Sequence, residues 1–566
     1  MPRTIVIIGA GFAGVWSALS AKRLANLTNK GEIINIVVIA PEPYLVIRPR
    51  LYESNASSMK HPLMDLFDFA GVQFLQGTAE TIDTEAHIVH VRSPTGHKSD
   101  VSFDRLILAA GSSVVRPQSV IGLQQHAFDI DTLESAVKLE THLEGLASHQ
   151  SSAARNTVVV CGAGFTGIEL ATELPKRLKH LTSPRVILIE GAHQLGPELG
   201  QGPRPVITEA LEDLGIEVKL GSAVASIDSY SVTLLSGERI ETFTSIWTAG
   251  MRATPLTNQI PGARDKLSHI LVDRHLRSLS CEHVFVTGDA AYATADDQGH
   301  HALMSCQHAL QLGRISGHNA AADLINEPLL EYSQAAYNCC LDLGSWGAVV
   351  TGGWDREIKI QGDLAKRAKG YVNQKLIYPP SDAQEALQAA SPAGPDSDEL
   401  FKHILAVGLM VQYTEHEINL ALEAIGNDQS VKKAAYKYGI PRTTLQLRLY
   451  GSQRRAAAFA DLQRLSVSQE AKLASWVQIQ ADLGLAPTHQ YNIDKNVILK
   501  GKGSNGLVLG RAKTKSVRKK QPGSRAWVSI IECISAKGIP LYPLVIYKGK
   551  TVQQQWFPLD LSPYDG

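Results

Sequence analysis

Two glycine-rich hexapeptides, about 150 residues apart, carry the clearest chemistry in this chain: Gly9-Ala10-Gly11-Phe12-Ala13-Gly14 and Gly162-Ala163-Gly164-Phe165-Thr166-Gly167. Each follows a β-branched apolar run, Thr4 to Ile8 and Thr157 to Cys161, and each opens an apolar segment with helical spacing. The glycines therefore stand on strand-to-helix turns. The first glycine of each set permits the tight turn. The second lets backbone N–H groups approach a pyrophosphate, and the third allows close helix–strand packing. The N-terminus of the following helix favours the anion. One such motif is weak evidence. Two of them imply an enzyme that holds two dinucleotides face to face.

The strands around the cradles add further groups. Arg185 to Ile189 reads as a strand ending at Glu190, whose carboxylate can accept hydrogen bonds from both ribose hydroxyls of an adenosine. It would repel a 2′-phosphate and so favours NADH over NADPH. The equivalent strand of the first unit, Ile36 to Ile39, is followed by Ala40-Pro41-Glu42, so the acid expected at Ala40 is missing and Glu42 is the substitute at hand. Phe103 to Ala109 reads as a strand closing on the small residues Ala110 and Gly111, and Val284 to Thr287 as another closing on Gly288-Asp289. Ligands of open α/β sheets bind at such strand ends. Asp289 is read either as an acceptor for a flavin ribityl hydroxyl or as the cap of an Ala-rich helix, or both.

Taken together, these residues resemble the two-dinucleotide flavoproteins, above all the alternative (type II) NADH dehydrogenases and apoptosis-inducing-factor-like oxidoreductases. Tyr44-Leu45-Val46-Ile47-Arg48-Pro49-Arg50-Leu51-Tyr52-Glu53, Ile246 to Gly250, Gly288-Asp289-Ala290 and Gln374 to Pro380 carry the likeness, which spans roughly residues 1–390. The resemblance implies an α/β fold with two Rossmann-like domains. An FAD domain (1–120 and 255–325) is split by an inserted NADH domain (121–254), and 326–390 forms a C-terminal interface segment over the flavin or at a homodimer contact. It further implies hydride transfer from NADH to FAD and electron delivery to a small-molecule acceptor such as a quinone. Glu169 matches a family carboxylate near the nicotinamide. Gln307 falls where membrane-associated members line a quinone site, although the full Ala-Gln-x-Ala-x-x-Gln pattern is absent from Cys306-Gln307-His308-Ala309.

The six cysteines include neither Cys-x4-Cys nor Cys-x-x-Cys, which argues against a dithiol relay, and no cluster suggests zinc. Cys339-Cys340 reads as core filling. The chain begins on a strand without a targeting sequence, and it has no run of ~18 apolar residues that would span a bilayer. A cytoplasmic protein is expected, with peripheral membrane contact left open.

Zero net charge conceals a split. Residues 413–566 carry 22 Lys and Arg against 11 Asp and Glu, leaving 33 against 44 for residues 1–412. An acidic half joined to a basic half suggests two fused functions, with 391–412 as the linker. Glu415 to Ile425, Ser430 to Tyr438 and a segment from Pro441 to about Tyr450 have helix-turn-helix spacing, which makes 413–455 a candidate DNA-binding domain. Arg442, Thr443, Thr444, Gln446 and Arg448 stand on the candidate recognition helix, and Lys432 and Lys433 are placed to meet phosphate. The bland alternative is a three-helix bundle without DNA. These residues resemble the Psq-type unit of pogo-like transposases. The same resemblance makes 456–490 a partial second DNA-binding unit and 491–566 a truncated RNase-H-like fragment. Of that nuclease's three metal-binding acids only Asp494 is present, so two-metal catalysis fails. The reading favoured is an FAD-dependent NADH dehydrogenase with a transposase-derived tail. The alternative is a DNA-binding, and then nuclear, protein whose flavoprotein half is a relic or a redox sensor.

Overall fold

The computed structural model describes residues 2–395, 415–426, 429–431, 434–435, 440, 442–449, 528–534 and 540–547. Two sheets divide the first 395 residues. The larger has six strands in the order Arg277–Ser278, Cys281–Val286, Arg105–Leu108, Arg3–Ile8, Ile34–Ala40 and Gln73–Gln76. All pair in parallel except the first, which runs antiparallel. Ile5 to Ile8 are buried, as a central strand covered on both faces requires. The smaller sheet orders Glu217–Lys219, Arg185–Ile189, Thr157–Cys161 and Thr244–Trp247, all parallel. The larger sheet is interrupted in sequence by the smaller one. The expected α/β class with two dinucleotide-binding sheets therefore holds.

Helix Phe12–Leu27 leaves the first cradle and packs on helix Cys306–Ile325. Glycines bring the two backbones together: a Cβ on Gly313 or Gly317 would overlap the carbonyl oxygen of Ala13 or Ser17. The Ser17 hydroxyl donates to Ala13 O at 2.8 Å and to Gly313 O at 3.1 Å, and Ser20 Oγ donates to Arg314 O at 2.7 Å. The Arg314 guanidinium lies 4.0 Å over the Trp16 ring.

A third layer follows. Strands Asn338–Asp342, Ala348–Gly352 and Glu357–Gly362 form an antiparallel sheet, succeeded by helices Asp363–Tyr371 and Ala383–Ala389. Residues 391–394 pack onto the body: Pro392 is buried and its carbonyl accepts from Gln311 Nε2 at 2.6 Å. The Ala-rich sequence after Asp289 is not the helix expected of it. Gly288–Ala290 make a single 3₁₀ turn, and Ala291 pairs with Ile270 as a short strand. Strand pairing overrides alanine's helical preference there.

In the basic part, helices Glu415–Gly426 and Arg442–Leu449 bury Ile418, Ala421, Ala434, Ile440 and Leu445 as a small core of their own. Separately, Val528–Ile534 and Pro540–Tyr547 form an antiparallel hairpin. Lys432, Lys433, Asp494 and the whole of 456–490 lie outside the described residues.

Replacing Gly317 by alanine forces the two cradle-side helices apart. A loss of about 1–3 kcal/mol is expected from such overpacking. It should appear as a lower thermal midpoint, whereas an unchanged midpoint would mean the helices can spread without cost.

Candidate functional site

The two cradles repeat one backbone design. Gly9 and Gly162 take φ values of +110° and +113°, a region that suits glycine. Their N–H groups donate to Ile39 O and Ile189 O, both at 2.8 Å. A Cβ on Gly14 or Gly167 would overlap the carbonyl oxygen of Gly9 or Gly162. Gly11 and Gly164 then open the helices Phe12–Leu27 and Phe165–Arg177. At Gly11 a Cβ would meet nothing within 4 Å, and the same is true at Gly111 (φ +68°) across the turn. That is the open, Cβ-free space a pyrophosphate needs beside a helix N-terminus. These residues fit a dinucleotide.

The strand-end acids differ between the two. Glu190 Oε2 accepts from Ala163 N at 2.8 Å, inside the second cradle, and Oε1 accepts from Ala192 N at 2.9 Å. Ala40 offers no such group, and Glu42 is exposed. Asp289 accepts from Ser112 Oγ at 2.6 Å and lies 3.9 Å from Arg48 Nη1. Arg48 also donates to Ser112 O at 3.2 Å and pairs with Asp131.

Beside the second cradle runs a cleft lined by Arg48, Tyr52, Asp131, Thr166, Glu169 and Trp247 among others. Both domains contribute to its walls. Trp247 is fixed there by its Nε1–H, which donates to Val115 O at 2.8 Å.

Glu169 sits at the back of the cleft, buried, on the second cradle's helix. Its Oε1 meets Lys369 Nζ at 2.8 Å and accepts from Asp342 N at 2.9 Å. Burial pushes the Glu169 carboxyl above the ordinary range. Burial would lower Lys369, but the Glu169 carboxylate outweighs it and holds the ammonium protonated. Lys369 also donates to Cys340 O at 3.0 Å. Asp342 accepts from Tyr52 OH at 2.9 Å and pairs with Lys366, and Asn373 Nδ2 donates to Glu53 Oε1 at 3.0 Å. One network thus ties the Arg48–Glu53 segment, the second cradle's helix and the third layer together.

Sequence reasoning singled out Glu169 but not Lys369, Asp342 or Tyr52. Lys369 shares one short helix with Lys366 and Arg367, and no local signal in the sequence sets it apart. Gln307 is half-buried in the first turn of Cys306–Ile325. Burial pushes the thiols of Cys161, Cys339 and Cys340 up to about 12. As thiols they are poor nucleophiles. Among the described residues no group of His, Cys, Asp and Glu is placed to hold a metal, and no helix is long and apolar enough to cross a membrane. In the basic part, Arg442, Thr443 and Thr444 begin helix Arg442–Leu449, and Gln446 and Arg448 are half-buried farther along it.

Comparison with known proteins agrees with this geometry. Residues 3–313 match the pyridine nucleotide-disulphide oxidoreductase family, and residues 414–457 match the helix-turn-helix Psq domain. An NADH dehydrogenase-like protein of Mycobacterium tuberculosis is 43% identical over 397 residues, covering 69% of this chain and 98% of that protein. A demethylphylloquinone reductase of Synechocystis is 28% identical over 383 residues, covering 66% and 91%. Among solved structures, the NDH2 of Plasmodium falciparum in complex with NADH superposes with a TM-score of 0.56 at 14% identity, covering 69% of this chain and 97% of that one. This last likeness is one of fold.

Two substitutions probe the site. Gly11→Val fills the open side of the first cradle, so the purified variant should lose its flavin while its far-ultraviolet dichroism stays native; a yellow variant would refute the assignment. Lys369→Met leaves Glu169 buried without its cation, at an expected cost of about 3–5 kcal/mol. Denaturant unfolding reads this directly, and Glu169→Gln in the same background should recover part of the loss.

Proposed function

The chain belongs to the pyridine nucleotide-disulphide oxidoreductase family, and from that premise we propose an NADH dehydrogenase that passes electrons to a quinone. FAD would be held by Gly9, Gly11, Gly14, Ala110, Gly111 and Asp289, and NADH by Gly162, Gly164, Gly167 and Glu190. The observation that carries the reading is the pair of matching cradles, together with a cleft at the second cradle whose walls come from both domains. Bound together, the two cofactors supply hydride transfer and onward electron transfer, chemistry that is theirs rather than any side chain's.

The protein's part is to bind, orient and exclude water. Arg48 and Ser112 fix Asp289 at the strand end. Trp247 and Tyr52 wall the cleft. Both bonds received by Glu169 fall on Oε1, so its Oε2 is the atom able to hold a proton beside the reaction, and a raised carboxyl pKa suits that role. A quinone acceptor is supported by the likeness to the demethylphylloquinone reductase of Synechocystis, and Gln307 is the candidate contact. Peripheral membrane contact and a homodimer accompany this reading. A cytoplasmic location is part of it as well.

The Psq match and the two helices packed on Ile418, Ala421 and Leu445 support a second, separate role for the tail. It would bind DNA through Lys432, Lys433, Arg442, Thr443, Thr444, Gln446 and Arg448.

An absorbance spectrum of the full-length protein, before and after anaerobic NADH, tests the main reading. Flavin bands that bleach with NADH and return on adding a quinone are expected. A colourless protein that cannot be reconstituted with FAD would overturn it and leave the DNA-binding tail as the working function.

A further inference from the structure

The second cradle differs from the first at its phosphate-facing glycine. Where a Cβ on Gly11 would meet nothing within 4 Å, a Cβ on Gly164 would lie 2.5 Å from Glu198 Oε1. The Glu198 carboxylate therefore stands over the glycine that must stay bare for a pyrophosphate. Glu198 is exposed and makes no hydrogen bond or ion pair with any described residue. The backbone that bears it is held by its turn. Pro197–Leu199 form one 3₁₀ turn between Gly196 (φ +49°) and Gly200 (φ +76°). Leu199 is buried at 2% exposure, and Gly200 packs under the Arg356 side chain. The N-terminus of helix Phe165–Arg177 then attracts the acid electrostatically.

We infer that Glu198 is an affinity-determining residue for the nucleotide: its carboxylate occupies the diphosphate position of the second cradle and must be displaced for a dinucleotide to bind. This rests on reading that cradle as the NADH site. A carboxylate and a diphosphate cannot share one helix N-terminus, because like charges brought together there repel in a partly desolvated setting. Glu190 already takes the Ala163 N–H of the same cradle, so that donor is engaged before a diphosphate arrives. A dinucleotide can overcome the repulsion because its adenosine and nicotinamide ends contribute contacts elsewhere.

The test is calorimetric titration of the full-length, FAD-loaded protein with NAD⁺, for wild type, Glu198→Gln and Gly164→Val. Glu198→Gln should bind about tenfold more tightly at low salt, a gap expected for removing one like charge. It should narrow as salt rises. An equal or weaker affinity for Glu198→Gln would overturn the inference, the weaker case meaning that Glu198 contacts the nucleotide. Gly164→Val separates the two levels of the argument. If it loses NAD⁺ while Glu198→Gln stays at the wild-type value, the site stands and the guarding role alone falls. If it binds as wild type does, the second cradle is not the nucleotide site and both fall.

Discussion

A carboxylate and an ammonium held 2.8 Å apart with almost no solvent, Glu169 and Lys369, join parts of the chain that are two hundred residues apart in sequence. A pair of this kind is weak evidence for stability, since desolvating two ions consumes most of their attraction. Its value here is one of position. Glu169 cannot rotate away from the cleft without abandoning both Lys369 and the Asp342 amide. Lys369 cannot leave without abandoning the Cys340 carbonyl. The third layer is therefore registered against the second cradle's helix at one place, and Tyr52, bonded to Asp342, brings the first domain into the same register.

What could be read from residues alone follows from the range of the constraint. The cradles are local: a left-handed turn, a bare approach and a close helix contact each demand glycine within six residues, so their order in sequence is their order in space. The second strand's Glu190 is legible for the same reason. The Lys369 contact is not, because nothing in the local sequence distinguishes the buried lysine from its half-buried neighbours Lys366 and Arg367. The segment after Asp289 has a helix-like composition because alanines are helix formers in isolation, while the pairing of Ala291 with Ile270 is fixed by residues about twenty positions away. The helix-turn-helix was readable through apolar spacing, which Ile418, Ala421 and Leu445 obey. The contacts that would specify a DNA sequence carry no comparable pattern.

The two cradles keep one backbone design. Turn, strand bond and helix packing are kept. What changes is the charge at the rim: alanine ends the strand in the first domain and glutamate in the second.

The split of the larger sheet bears on synthesis. Arg105–Leu108 lacks its outer neighbour until Cys281–Val286 has been made. Every strand of the smaller sheet emerges in between. At about 5–20 residues per second, the ribosome leaves the N-terminal strands with an open edge for roughly ten seconds or longer while the inserted domain folds as a continuous unit. The half that opens the chain is thus the last to close, and a nascent chain stalled inside the insertion would present an unpaired parallel strand to any chaperone, or to another chain, within reach.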